Sequence, residues 1–190
     1  AVAAQRAGNE VALWAHDAAV AQTIAETGEN PDYLRGVKLG DGIRATNDLA
    51  EAATFSDTHF MVVPSHHYRE VLTNLREHFL GPVNVISGTK GIENESLARM
   101  SEVTAEVLGD QLTAFAVLSG PTFAIETANG NPTAAVIASR NLEFAQQAQH
   151  FMSSPTFRLY HSEDVAGVEL AGSLKNVIAI PAGALEGLGL

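Results

Sequence analysis

Apolar positions fall into two alternating patterns along this chain. Short apolar runs at His59-Phe-Met-Val-Val63, Val83-Asn-Val-Ile86, Phe115-Ala-Val-Leu118 and Ala134-Ala-Val-Ile-Ala138 predict strands covered on both faces. Between them the spacing changes. Tyr68, Val71, Leu72, Leu75 and Phe79 recur on one side of a helix over 65–79. The same reading predicts strands at Glu10–Trp14 and Phe157–Tyr160. It predicts helices at 18–27, 46–53 (capped by Thr46 or Asn47), 95–108, 121–129 and 142–152. Ala1–Gly8 reads as the end of a helix, Asn30–Gly36 as a loop, and a long helix begins near Glu163. Strands alternating with helices imply right-handed crossovers and a largely parallel sheet. The expected fold class is α/β, a doubly wound Rossmann-like sheet followed by the start of an all-helical domain. Ligands of such folds gather where strands end.

Both ends of the chain read as interior to a larger fold. A dinucleotide-binding unit begins with a strand and a Gly-x-Gly-x-x-Gly turn; here the first strand and the glycine fingerprint are missing. The last residues continue an apolar helix. The expectation is a piece of a longer protein, divided into a truncated dinucleotide-binding domain (1–162) and the first helix of a helical substrate domain (163–190), and inactive by itself. A lost central strand would leave a slot with unpaired backbone groups beside it.

Charge and composition narrow the function. With 46% hydrophobic residues the chain can pack a core. A net charge of −11 argues against nucleic acid or an anionic membrane as partner. Small phosphates remain open, since a few local cations suffice for them. The absence of cysteine removes disulfides and thiolate metal sites and fits a cytoplasmic setting. Glu169, Lys175 and Glu186 interrupt the only stretch approaching a membrane span.

The candidate chemistry lies after strands. Lys175 is the one cation in the small, apolar stretch from Val165 onward; an ammonium there must find a partner, reach water or lose its proton. Lys90, in Ser87-Gly-Thr-Lys-Gly91, is set between glycines that allow a ligand close approach, without the spacing of a nucleotide-triphosphate loop. Ser119-Gly-Pro-Thr-Phe-Ala124 could offer amides to an anion, with Pro121 in the first helical turn. Trp14-Ala-His-Asp17 ends the strand where a Rossmann unit reads the adenosine ribose. His16 points to a 2′-phosphate and Asp17 to a 2′-hydroxyl, or Asp17 is simply a cap, so NAD or NADP stays unresolved. Ser65 reads as an N-cap. His66 and His67 read as a surface pair, and no metal site is expected.

In order, Thr89-Lys-Gly91, Ser119-Gly-Pro-Thr-Phe-Ala124 and Gly167-Val-Glu-Leu-Ala-Gly-Ser-Leu-Lys-Asn-Val-Ile-Ala-Ile180 resemble the bacterial-type NAD(P)-dependent glycerol-3-phosphate dehydrogenases. The likeness spans essentially the whole chain, including Trp14–Asp17 and the Asn30–Val37 loop. It implies hydride transfer between NAD(P)H and dihydroxyacetone phosphate, giving sn-glycerol 3-phosphate for phospholipid synthesis. It further implies that Lys175 donates the proton to the ketone oxygen and Lys90 stabilises the charge developing there. Lys90, Gly120, Thr122 and Lys175 would touch substrate; His16, Lys90 and Ala124 would touch cofactor; Asn176 would orient Lys175. The family's downstream Arg-Asn pair for the phosphate is absent, and Pro181 should kink the helix beyond Lys175. Oligomeric state stays open, with a homodimer as the assembly to test. The competing readings are a related hydroxyacid or hydroxyacyl dehydrogenase and a non-catalytic nucleotide sensor.

Overall fold

A computed structural model describes residues 1–189 of the 190. The elements run α1 (Val2–Arg6), β1 (Val11–Trp14), α2 (Ala18–Thr27), β2 (Glu29–Asn30), β3 (Leu34–Lys38), β4 (Ile43–Thr46) and α3 (Leu49–Thr54). Then follow β5 (Thr58–Met61), α4 (Ser65–Arg76), β6 (Val83–Ser87), α5 (Met100–Leu108), β7 (Leu112–Ser119) and α6 (Ala124–Ala128). The chain closes with β8 (Thr133–Ala138), α7 (Leu142–Met152), β9 (Phe157–Ser162) and α8 (Val165–Leu188).

The main sheet has five strands in the order β5-β6-β7-β8-β9, and helices cover both faces. Val85 and Ile86 are neighbours in β6, so their side chains leave on opposite faces. Val85 packs with Tyr68, Leu72, Met100 and Val103. Ile86 packs with Ala116, Ile137, Phe144 and Leu159. Two-sided burial is why these strands read as continuous apolar runs. β1 pairs in parallel with β4 as a separate ribbon, and β5 pairs only with β6.

The sheet is largely parallel, as expected, with one antiparallel pair, β7 with β8. The structure corrects several expectations. The Asn30–Gly36 loop is mostly an antiparallel hairpin of β2 and β3. Its turn is held by Asn30 Oδ1, which accepts from the Tyr33 amide at 2.9 Å. Strand β4 includes Thr46, so the next helix starts later, capped by Asp48, which accepts from the Ala50 amide at 2.8 Å. Helix α5 starts at Met100, because Ile92 and Arg99 bridge first and hold 92–99 as a turn. Ser65 is the first residue of α4 rather than its cap, a position that Pro64 takes.

Helix α8 is continuous through Pro181. By length and mean hydropathy (1.2) it is the one helix among the described residues that would suffice to cross a membrane. Its first half instead packs on β7 and holds buried Glu169 in an ion pair with Arg99. That is the behaviour of a domain helix.

His59 sits on β5 in the core, 4.7 Å from the Phe79 ring, and its Nε2 lacks a hydrogen-bond partner among the described residues. Burial pushes its pKa down to about 4, partly opposed by Asp57. The unfolded chain therefore takes up this proton before the folded one does. The stabilisation is complete above about pH 6.5 and disappears as pH falls through about 4, a swing of roughly 3 kcal/mol. Urea unfolding between pH 7.5 and 4 should show wild type losing roughly 3 kcal/mol more than His59→Phe on acidification. A constant offset between them would contradict this.

Candidate functional site

The carboxyl ends of β6 and β7 meet the middle of α8. The loop after β6 is tied down along its length. Thr89 Oγ1 donates to the Val63 carbonyl at 2.8 Å. Glu93 receives Arg69 from α4 at 2.7 and 2.9 Å, which holds its pKa at about 2, with Ser96 contributing. Gly91 has φ +127°, and a Cβ there would stand 2.7 Å from Ser65 Oγ, so only glycine fits the turn.

Lys90 is thereby fixed half-buried, its Nζ donating to Ser119 Oγ at 3.1 Å where β7 ends. Burial, and next the charge of Lys175, lower the Lys90 pKa from the usual lysine value. The two lysines therefore face one neighbourhood. Lys175 itself is exposed. It reaches water instead of being enclosed by its apolar stretch, because Leu174, Val177 and Ile178 beside it are exposed too. Helix α8 follows β7 only as far as Gly172, whose missing side chain admits Ser119.

The anchoring of α8 begins at Glu169, whose side chain is 5% exposed. It accepts from Arg99 at 3.0 Å and from the amide and hydroxyl of Ser101 at 2.8 and 2.7 Å. The Ser101 amide lies in the first turn of α5, where the helix dipole favours a carboxylate. One turn on, Ser173 Oγ donates to the Glu169 carbonyl at 2.8 Å and accepts from the Gly91 amide at 3.1 Å.

The remaining expected residues are placed unevenly. Gly120 lies against β8, where a Cβ would meet the Ala135 Cα at 2.8 Å. Thr122 is half-buried, but its amide donates to the Gly120 carbonyl at 2.9 Å and is not free for an anion. Helix α6 starts at Ala124, so Pro121 lies outside its first turn. Ala124 is exposed. His16 is exposed at the end of β1, set edge-on to Trp14, while Asp17 caps α2 with its carboxylate 2.8 Å from the Ala19 amide. These two stand at a different strand end from the lysines. Asn176 is exposed and shares no hydrogen bond with Lys175 among the described residues. His66 and His67 are a surface pair with ring centroids 4.1 Å apart.

Sequence reasoning missed Thr89, Ser119, Glu169, Gly172 and Ser173 as parts of this site. A signal existed for three of them. Val165, Glu169, Gly172, Ser173 and Asn176 share one face at helical spacing, and small and polar residues gathered on one side of an otherwise apolar helix mark a contact.

Two lysines brought to the ends of β6 and β7, in a protein of net charge −11, mark a place for an anionic ligand.

Comparison with known proteins agrees along the chain. The model for the NAD-dependent glycerol-3-phosphate dehydrogenase N-terminus matches residues 1–145, and that for its C-terminus matches 164–190. The glycerol-3-phosphate dehydrogenase [NAD(P)+] of Rhodospirillum rubrum is 46% identical over 98% of this chain and 53% of its own length. That of Myxococcus xanthus is 42% identical over 95% of this chain and 54% of its own. The crystal structure of glycerol-3-phosphate dehydrogenase from Coxiella burnetii superposes with a TM-score of 0.90 at 33% identity, covering 99% of this chain and 57% of that one. The chain spans about half the length of the curated relatives it matches.

The two glycines make opposite predictions for unfolding by urea. Gly120→Ala meets backbone that cannot yield and should lose about 1–3 kcal/mol. Gly172→Ala meets the Ser119 hydroxyl at 2.8 Å, which can rotate away, and gains helix propensity, so its change should stay within about 1 kcal/mol. Equal losses would contradict the placement of α8 against β7.

Proposed function

The chain belongs to the NAD-dependent glycerol-3-phosphate dehydrogenase family, and on that premise we propose that it is part of an enzyme reducing dihydroxyacetone phosphate to sn-glycerol 3-phosphate, and the reverse. The observation that carries this reading is the Lys90 loop bonded both to Ser119 at the end of β7 and to Ser173 on α8, two residues before Lys175. Residues 1–162 act as the dinucleotide-binding domain and 163–190 as the start of the substrate domain. The protein works in the cytoplasm, and its product serves phospholipid synthesis.

The strand ends suit an extended dinucleotide. Exposed His16 after β1, Val62 (69% exposed) after β5 and half-buried Lys90 after β6 are the strand-end residues that would meet it. NAD or NADP, when bound, supplies the hydride. His16 contacts its adenosine end, and Ala124 and Lys90 flank the reacting end. His16 and Asp17 together leave the choice of NAD or NADP to measurement.

As hydride reaches the ketone carbon, the C=O electron pair moves onto oxygen. Lys175 gives that oxygen a proton, and solvent, which it touches, restores the proton afterwards. Lys90 holds the developing negative charge with a donor already fixed by Ser119 and by its loop, so little reorganisation is needed. Gly120 and Thr122 complete the wall on the substrate side. In the reverse direction neutral Lys175 takes the hydroxyl proton as hydride leaves.

The test uses the complete gene product, following NADH and NADPH absorbance with dihydroxyacetone phosphate and, as control, dihydroxyacetone. Oxidation should require the phosphate and fall by about 10²-fold or more in Lys175→Met. Tight cofactor binding with no oxidation would instead favour a nucleotide sensor.

A further inference from the structure

We propose that Ser173 is a positioning residue for this reaction, its hydroxyl fastening the Lys90–Gly91 backbone to α8 and so setting the spacing of the two lysines. The proposal rests on the function argued above. A serine within a helix commonly returns its hydroxyl to the carbonyl one turn earlier, and that bond alone would be local. Here the hydroxyl is used in both directions. It donates to the Glu169 carbonyl at 2.8 Å, which aims a lone pair outward, and the Gly91 amide donates into it at 3.1 Å.

The acceptor is stationary. Glu169 is locked to Arg99 and Ser101 at the start of α5. Ser173 is therefore attached to the sheet domain through α5 and to the loop through Gly91. Lys90 immediately precedes Gly91 and Lys175 lies two residues after Ser173, so one hydroxyl links the backbones that carry both ammonium groups. The other restraints on the loop, Thr89 to Val63 and Glu93 to Arg69, attach it to β5 and α4. Neither reaches α8, and the Ile92–Arg99 bridge reaches it only through the Arg99 side chain on Glu169, one turn before Ser173. The Lys90 side chain runs past α8 at Gly172, where an added Cβ would stand 3.9 Å from its Cδ, an approach without direction. Small displacements of reacting groups cost rate steeply, so the effect belongs in turnover.

The experiment compares Ser173→Ala, Ser173→Thr and Thr73→Ala in the complete gene product. Thr73 makes the same back-bond, to Arg69, on α4, away from the site. Ser173→Ala should lower kcat about 10-fold to 100-fold, with cofactor dissociation constants within about twofold of wild type and the unfolding midpoint little changed. Ser173→Thr, which keeps the hydroxyl, should recover most of kcat, and Thr73→Ala should leave kcat unaltered. Amide exchange at Gly91 should accelerate in Ser173→Ala alone. Wild-type kcat in Ser173→Ala would overturn the proposal, as would a loss that tracks unfolding and is not recovered by threonine. An inactive wild-type enzyme removes the functional reading by itself. Unchanged exchange at Gly91 in Ser173→Ala removes this one separately.

Discussion

Burial of a carboxylate is tolerated only where donors replace water, and Glu169 receives three: the Arg99 guanidinium, the Ser101 amide and the Ser101 hydroxyl. Removing Arg99 would leave the buried Glu169 charge without its cation, far costlier than losing a surface pair, whereas Arg99 would keep Glu102 if Glu169 were removed. The cluster therefore behaves as a fixed joint between α8 and the start of α5. Without it α8 would be a mostly apolar rod lying on β7, free to slide by a residue. With it, rotation and axial position are both set, and everything further along the helix inherits them.

What is inherited is an electrostatic arrangement that would not form unaided. Two like charges lower each other's stability, and Lys90 gives up part of its hydration as well. The structure offsets this with a hydroxyl acceptor at Ser119 and with open solvent at Lys175. On the proposed reading, an anionic substrate would supply the negative charge that is still lacking there, so a chain of net charge −11 would need no dedicated basic surface to hold it.

The sequence carried this architecture unevenly. Helices α2 and α7 lie where their periodicity put them, because Asp17, Gly28 and Asn141 supply ordinary start and stop chemistry. Strands β3 and β4 were not visible. They are short and partly exposed, and Gly36 breaks the alternation of β3. The direction of β8 was not written in its residues at all. It follows from how the segment through α6 returns the chain, and an apolar strand reads the same both ways. Lys90 and Lys175 were legible as candidates because each stands alone among small residues. The neighbourhood that unites them was not, since it depends on where α8 crosses β7. Glu169 and Ser173 were on the page as letters of an apolar helix, and only their partners on α5 and the Gly91 loop give them meaning.

The position of Lys175 therefore comes from one side. Upstream, Val165 is buried and Glu169, Gly172 and Ser173 are each in contact with the sheet domain. Downstream, Val177, Ile178, Ile180 and Leu185 are exposed, and Pro181 offers no amide to the turn before it. The helix leaves its support between Ser173 and Lys175. A lysine placed at that point is held at its base by fixed contacts while its tip stays in water. On the proposed reading, that combination suits a donor that must meet a reacting oxygen at a fixed place and then recover its proton from solvent. A lysine one turn earlier would be trapped against Ser119, and one a turn later would lack any reference to Lys90.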